Sequence, residues 1–332
     1  MTKPVLSVRN LTTSFKLRKG WFPAISGVSF DVMPNETLCL VGESGCGKSI
    51  TAMSAMGLLK GQHGCRVSGE VWFDGRNLAE LAEAELRKIR GNKLAMIFQE
   101  PMTSLNPVLP IGLQVGEPLM FHRGMTRHEA EQEAVRLLEQ VKLPDARRRI
   151  NHYPHQFSGG MRQRVMIAIA LACGPQILFA DEPTTALDVT IQSQVLALLQ
   201  EIRDEHAFAL VLITHDLGVV ATIADRVAVM YAGEIVELAD TVALFKRPSH
   251  PYTEALLRAI PRSDRDTEEL VSIEGQVPPI HDMPPGCRFA ARCALREDVC
   301  LAQHPPFALL SPTPRHDVRC HVRARSAGRS AA

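Results

Sequence analysis

The sequence has no run of about 18 apolar residues, so no segment of it is expected to cross a bilayer as a helix. Met1 to Phe15 alternates polar and apolar residues and lacks the apolar centre of a signal peptide. Any role at a membrane therefore calls for a partner that carries the spans, with this chain on the cytosolic face. Excess charge is also missing. Lys and Arg number 37 against 36 Asp and Glu, which weighs against nucleic acid as a partner. The eight cysteines include no C-x2-C pair, so an ordinary zinc ribbon is disfavoured. Four of them follow residue 286, a local cluster rather than the disulfide framework of a secreted protein. The 332 residues, 45% hydrophobic, suffice for one large globular domain with an appendage, or for two domains.

The chain is organised around Gly42-Glu43-Ser44-Gly45-Cys46-Gly47-Lys48-Ser49, which reads G-x-x-x-x-G-K-S, a phosphate-binding loop. It follows an apolar run, Thr37 to Val41, read as a buried strand, and precedes Ile50 to Lys60, read as a helix. Gly42, Gly45 and Gly47 let the backbone curl with its N–H groups inward. Those groups and the helix N-terminus, with about half a positive charge, make an anion site. Lys48 is expected to reach the β- and γ-phosphates and the Ser49 hydroxyl to ligate Mg²⁺. A bare Gly-rich turn would not require the strand, the Lys and the Ser together.

Residues 5–41 alternate as β structure, with Phe15, Trp21 and Phe22 in the stretch ahead of the loop. Any of the three is a candidate to stack on an adenine ring; otherwise they cover the sheet. Gly69 to Gly75 reads as a short strand closed by an Asp-Gly turn. Residues 80–90 read as a helix, and Leu94 to Phe98 as a strand ending in Gln99. A Gln there can complete a Mg²⁺ shell or orient water, although a Gln at a strand end means nothing alone. Residues 102–175 read as a mostly helical insertion. Pro107, Pro110, Gly112, Gly116 and Pro118 are expected to break its early part into loops. Thr126 and Glu129 form a capping box for a helix through Val141. Ser158-Gly159-Gly160 opens another helix. It is either an ordinary cap or a second Gly-rich anion site.

Gln176 to Ala180 is an apolar run ending in Asp181 and Glu182. A buried parallel strand delivers its last residues to a nucleotide crevice. Asp181 is expected to serve Mg²⁺, and Glu182 to polarise the attacking water as general base. Ala209 to Thr214 is a further buried strand ending in His215, a candidate sensor of the γ-phosphate; a lone His is more often structural. Residues 225–238 read as a hairpin turning at Ala232-Gly233, and His250-Pro251-Tyr252 leads a short helix to Ile260. Residues 262–269 read as a solvated linker, and Arg323 to Ala332 as a disordered basic tail.

The ordered set of Gly42 to Ser49, Gln99, Ser158-Gly159-Gly160, Asp181-Glu182, Ala186-Leu187-Asp188 and His215 resembles the nucleotide-binding subunit of ATP-binding cassette transporters, over about residues 5–245. The family signature is usually Leu-Ser-Gly-Gly-Gln; here it is Phe157-Ser158-Gly159-Gly160-Met161, with the Ser-Gly-Gly core kept. Val41 to Gly45, Phe98 to Pro107 (Phe-Gln-Glu-Pro-Met-Thr-Ser-Leu-Asn-Pro), His250-Pro251-Tyr252-Thr253 and the C-terminal cysteines further resemble the dipeptide/oligopeptide importer ATPases.

That resemblance implies an α/β fold, a P-loop NTPase of the cassette type with an antiparallel β subdomain and a helical subdomain at about 102–175. The nucleotide-binding domain is expected over 1–245 and a cysteine-containing extension over 246–332. It implies hydrolysis of ATP to ADP and phosphate, with Asp188 also in the nucleotide-binding set. The implied partners are a second ATPase subunit (another copy or a paralogue), two permeases and an extracytoplasmic binding protein. The implied place is peripheral, on the cytoplasmic face of the bacterial inner membrane. Peptide is the expected solute, with nickel or a glycoside as alternatives.

A soluble cassette ATPase of DNA repair would carry a long coiled coil between Lys48 and Ser158, where no heptads occur. One of translation would carry two cassettes in one chain, where there is one. A regulatory ATP-binding protein without turnover is disfavoured by intact Glu182 and His215. Cys287, Cys293, Cys300 and Cys320 are expected to hold a [4Fe–4S] cluster, as the resemblance implies and four thiolates suit, with zinc or unligated thiols as alternatives. His281, His304, His316 and His321 are possible substitute ligands. Cys39, Cys46, Cys65 and Cys173 read as small packing residues.

Overall fold

The computed structural model describes residues 3–99, 104–185, 187–259 and 273–330. Glu100 to Thr103, Ala186, Ile260 and the 262–269 linker, each named above, lie outside the described residues. The chain forms two compact units, each assembled from separated segments. One comprises Met1–Val5, Val32–Glu36 and Glu80–Ile213; the other comprises Leu6–Asp31, Thr37–Ala79 and Thr214–Ala332.

In the first unit, the strands Leu94–Ile97, Ile177–Asp181 and Ala209–Thr214 pair side by side in parallel. Every residue of the last two is buried, as expected of parallel strands covered on both faces. The rest of this unit is mostly helical. Arg127–Gln140 begins with the expected capping box: the Thr126 hydroxyl accepts from the Glu129 N–H, and the Glu129 carboxylate accepts from the Thr126 N–H at 2.8 Å. Ala130, Ala134, Leu137 and Leu138 form its buried face. A Leu so buried contributes about 1.5–3 kcal/mol.

The early part of this insertion differs from its reading as loops. Ile111–Arg123 is one helix of 13 residues with Pro118 inside it. The two glycines mark close approaches rather than breaks. A Cβ on Gly112 would lie 2.8 Å from the Ile150 carbonyl oxygen and overlap the Ile150 side chain, and one on Gly116 would lie 3.4 Å from the Ala130 Cβ. Gln114, on the same helix, holds the preceding turn: its amide donates to the carbonyls of Asn106 at 3.0 Å and Leu109 at 2.8 Å.

In the second unit, a four-stranded sheet has the order Gly20–Val32, Leu6–Leu17, Cys65–Phe73, Arg76–Asn77, and its last two neighbour pairs are antiparallel. The Asp74-Gly75 turn closes the final hairpin, with both residues at positive φ. Elsewhere in this unit Thr37–Val41 pairs in parallel with Arg226–Tyr231. That strand turns at Ala232-Gly233 into Glu234–Asp240. The C-terminal segment then extends the same ladder. Arg315–Val318 pairs antiparallel with Glu234–Asp240, and Ala308–Pro312 pairs antiparallel with Arg315–Val318. The extension is thus hydrogen-bonded into the sheet that carries the phosphate loop.

The basic tail also differs from its reading. His321–Ser330 is a helix, entered by a bond from the Ala324 N–H to the Cys320 carbonyl and tied down by the Arg323–Glu254 ion pair. Composition reports low apolar content here but not that partner.

Candidate functional site: a phosphate loop braced by the C-terminal segment

The loop Gly42 to Ser49 joins a fully buried strand to the helix Lys48–Ala55. Gly42 has φ 151° and a Cβ there would run into the Met230 carbonyl and come within 2.8 Å of Cys46 Sγ. Gly47 has φ 102° and a Cβ would meet Ile25 Cγ2 at 2.6 Å. Both glycines answer to closeness as well as to torsion. Lys48 is buried, and its ammonium donates to the carbonyls of Gly42 at 2.9 Å and Glu43 at 3.1 Å. Ser44 and Gly45 are exposed and Ser49 is half-buried. The loop crest therefore faces solvent over a buried cation. Cys46 is buried, and burial raises its thiol pKa, so it is inert packing.

The acid within this loop is tied to Arg292, which sequence reasoning did not single out, and to Tyr252. Arg292 makes a two-pronged ion pair with Glu43, 2.7 and 2.9 Å to its two carboxylate oxygens. The Arg292 side chain is only 4% exposed and that of Glu43 29%. Hydrogen bonds to Glu43 and Tyr231 raise the guanidinium pKa further. The Glu43 backbone N–H donates to the Tyr252 hydroxyl at 2.9 Å, and Tyr252 is fully buried. Phe289 seats this contact, with its ring centroid 5.1 Å from that of Tyr231 and 5.4 Å from that of Tyr252. The missed signal was Glu43 itself, since an acid in an anion-binding loop calls for a nearby cation.

Behind the loop lies a second buried carboxylate. Glu237 accepts from the N–H groups of Ser249 at 2.7 Å and His250 at 2.8 Å and pairs with His316 at 2.7 Å. Such a carboxylate satisfies the helix start at Pro251–Arg258. His304 pairs with Glu234 at 2.9 Å. His304 and His316 each place Nε2 on a carboxylate, Glu234 and Glu237.

Cys287, Cys293, Cys300 and Cys320 line one small cavity of about 10 Å³ with His250, His321 and Phe289. Burial pushes the Cys287 thiol up to about 11 and raises those of Cys293 and Cys320. Among the described residues no group of three or more His, Cys, Asp or Glu stands close enough to hold a metal ion. Of the other cysteines, Cys39 and Cys173 are buried with Cys46, whereas Cys65 is half-exposed on its strand.

In the first unit, the Gln99 side-chain amide donates to Glu182 Oε2 at 3.1 Å and the Thr185 hydroxyl donates to the same oxygen at 2.8 Å. Glu182 has φ 44°, a left-handed backbone at the end of its strand, held by a bond from its N–H to the Ile213 carbonyl. Strain of this kind clusters at functional sites. Asp181 beside it is buried. Ser158 caps Gly159–Leu171, its hydroxyl accepting from the Met161 N–H at 3.4 Å, and Ser158 and Gly159 are exposed. Gly160 admits no Cβ, since one would meet Ile191 Cγ2 at 2.6 Å. Asp188 caps Val189–His206 through the Ile191 N–H at 2.9 Å.

In the second unit, His215 is exposed, and the next residue, Asp216, caps Leu217–Ile223. Phe15 is half-buried on its strand, and Trp21 carries the Arg66 guanidinium 3.9 Å from its ring centroid.

A phosphate loop on a strand, a strand-end acid pair and a Ser-Gly-Gly helix start define a nucleotide-binding cassette. The ABC transporter family profile matches residues 25–185, and that of the oligopeptide/dipeptide transporter C-terminal region matches residues 236–300. The dipeptide transport ATP-binding protein DppD of Bacillus subtilis is 49% identical over 323 residues, 97% of this chain and 96% of that one. The oligopeptide transport ATP-binding protein AppD of the same organism is 51% identical over 318 residues, 96% of each chain. Among solved structures, the dimeric bacterial ABC transporter cassette MJ0796 aligns with a TM-score of 0.64 at 33% identity, covering 71% of this chain and 98% of that one. The same cassette in a post-hydrolysis state with ADP and Pi gives 0.64 at 32% identity and the same coverage. The chain belongs to the ATP-binding cassette ATPases of the oligopeptide/dipeptide transporter family. No helix among the described residues is long and apolar enough to cross a membrane.

Proposed function

We propose that this chain hydrolyses ATP to drive import of di- or oligopeptides through membrane permeases, as a peripheral subunit on the cytoplasmic face of the bacterial inner membrane. One observation carries the reading: the phosphate loop and the oligopeptide/dipeptide transporter C-terminal region occur in one chain, over nearly the full length of relatives named for dipeptide and oligopeptide transport. Residues 1–245 act as the nucleotide-binding domain and 246–332 as the extension.

Lys48 and the N–H groups of the loop bind the phosphates. Ser49, Gln99 and Asp181 supply the oxygen donors that suit Mg²⁺, which would neutralise phosphate charge when bound. Glu182 takes the proton of the attacking water and Gln99 orients it. His215 contacts the γ-phosphate and Phe15 stacks on adenine. Ser158, Gly159, Gly160 and Asp188 complete the nucleotide site of a second ATPase subunit, a reading supported by the exposure of Ser158 and Gly159. Two permeases and an extracytoplasmic binding protein complete the assembly. The four C-terminal cysteines would supply the thiolates of a [4Fe–4S] cluster; they line one cavity, but as placed no three of them form a metal-holding group.

The test is ATPase activity of the complex reconstituted with its permeases and binding protein. Stimulation by a peptide-loaded binding protein is expected. Stimulation only by nickel or a glycoside would overturn the peptide reading. Iron and sulfide analysis of anaerobically purified protein tests the cluster, and protein free of iron would remove it.

A further inference from the structure

An acidic side chain inside a phosphate-binding loop presents an electrostatic problem. Glu43 is the second residue of a loop whose purpose is to attract a triphosphate. An uncompensated carboxylate there repels the ligand and strains the loop. The sequence places no cation beside it except Lys48, whose ammonium is bonded to the backbone carbonyls of Gly42 and Glu43.

The compensation comes from the C-terminal segment, 249 positions away in the chain. Arg292 meets both oxygens of Glu43, and its own direction is fixed by bonds from the guanidinium to the carbonyls of Glu274 at 2.9 Å and Ile273 at 3.1 Å. Tyr252 takes the Glu43 N–H, so that N–H faces away from any phosphate and the loop entrance is pinned at main chain and side chain together. A second route reaches the same loop. The Gly233 N–H donates to the Cys46 carbonyl at 2.9 Å, and Arg288 donates to the neighbouring Ala232 carbonyl. Arg288 and Arg292 flank Phe289 and lie between Cys287 and Cys293, two of the cavity-lining cysteines. The pair is two-pronged and its guanidinium is only 4% exposed, which sets it apart from an exposed surface pair.

We propose that Arg292 is a positioning residue for ATP binding: by neutralising and holding Glu43, it makes the phosphate loop receptive to the nucleotide, with Tyr252 fixing the same residue through its main chain. The inference rests on the reading of Gly42 to Ser49 as the ATP phosphate site. It links the cysteine segment to the phosphate loop through Arg292, the residue before Cys293.

The experiment is nucleotide titration of the purified full-length chain, using a fluorescent ATP analogue with Mg²⁺, alongside thermal unfolding of each variant. Arg292→Gln keeps length and hydrogen bonding but removes the charge, and is expected to weaken ATP binding about tenfold at low salt, less at high salt. Arg292→Lys keeps the charge and is expected to stay within about threefold. The decisive variant is Glu43→Gln combined with Arg292→Gln. Removing the repelling carboxylate is expected to return affinity most of the way, whatever the change in Tm. Undiminished affinity in Arg292→Gln overturns the proposal. So does a loss that Glu43→Gln fails to recover, since that result marks a merely structural contact. Lys48→Ala is the reference: if it too binds ATP normally, the phosphate-site reading fails rather than the role of Arg292.

Discussion

Gln99 and Glu182 are hydrogen-bonded at 3.1 Å although 83 positions apart, and the Thr185 hydroxyl holds the same carboxylate oxygen. Two neighbouring parallel strands end at these residues, so the sheet register itself sets their separation. A carboxylate fixed from two sides, on a left-handed backbone, is oriented in advance for proton transfer. Glu182→Gln preserves shape and both neighbours but cannot accept a proton. It is expected to leave ATP binding intact and to lower turnover by about 10²–10⁴ in the assembled complex. Normal turnover there would remove Glu182 from the role of general base.

Lys48 makes a different prediction because its ammonium is buried beneath the loop. It donates to the carbonyls of Gly42 and Glu43. Lys48→Ala removes both the cation proposed for the phosphates and this internal brace. ATP affinity measured by titration is expected to fall by more than about tenfold, a loss typical of charged partners in buried sites. An unchanged dissociation constant would contradict the loop assignment.

The strand, loop and helix around Gly42 to Ser49 were legible in the sequence to the extent that local chemistry dictates them. A phosphate loop needs glycines, a Lys and a Ser at fixed spacing, and a buried strand must announce itself as an apolar run. The capping box at Thr126 and Glu129 was readable for the same reason, since both partners lie within one turn. What escaped was everything set by distant contacts. Tyr252 and Arg292 meet Glu43 across separations of 209 and 249 positions. Nothing in the hairpin sequence marks Glu237, yet its side chain is completely buried with partners from residues 249, 250 and 316. The glycines of Ile111–Arg123 looked like breakers because single-residue propensity knows nothing of Ile150 and Ala130.

That last case yields a stability prediction. Gly112 approaches Ile150 so closely that a methyl group must displace side chain and backbone together. Gly112→Ala improves helix propensity by about 1 kcal/mol, whereas overpacking costs about 1–3 kcal/mol. The clash is expected to win, because the backbone oxygen cannot rotate away. Thermal unfolding should show a lower Tm, and Ile150→Ala in the same chain should recover part of the added loss in a double-mutant cycle. A Tm at or above the parent's would mean that the helix Ile111–Arg123 yields readily at this crossing.

His250 adds a dependence on pH. Burial lowers its pKa to about 4, opposed by the nearby Glu237 carboxylate and a bond to the Arg319 backbone, while the Arg319 charge lowers it further. Its Nδ1 accepts from the Tyr252 N–H at 3.1 Å, which requires that nitrogen unprotonated. The unfolded chain takes up a proton near pH 6.5 and the folded chain only near 4, so this contribution is full above about 6.5 and is lost as pH falls towards 4. Its ceiling is about 3 kcal/mol from the separation of the two values. Because Tyr252 also fixes Glu43, the same protonation loosens the support of the phosphate loop. Unfolding measured between about pH 7.5 and 5 should fall more steeply for the parent than for His250→Gln, which cannot take up the proton. Parallel slopes for the two proteins would assign the acid sensitivity to other groups.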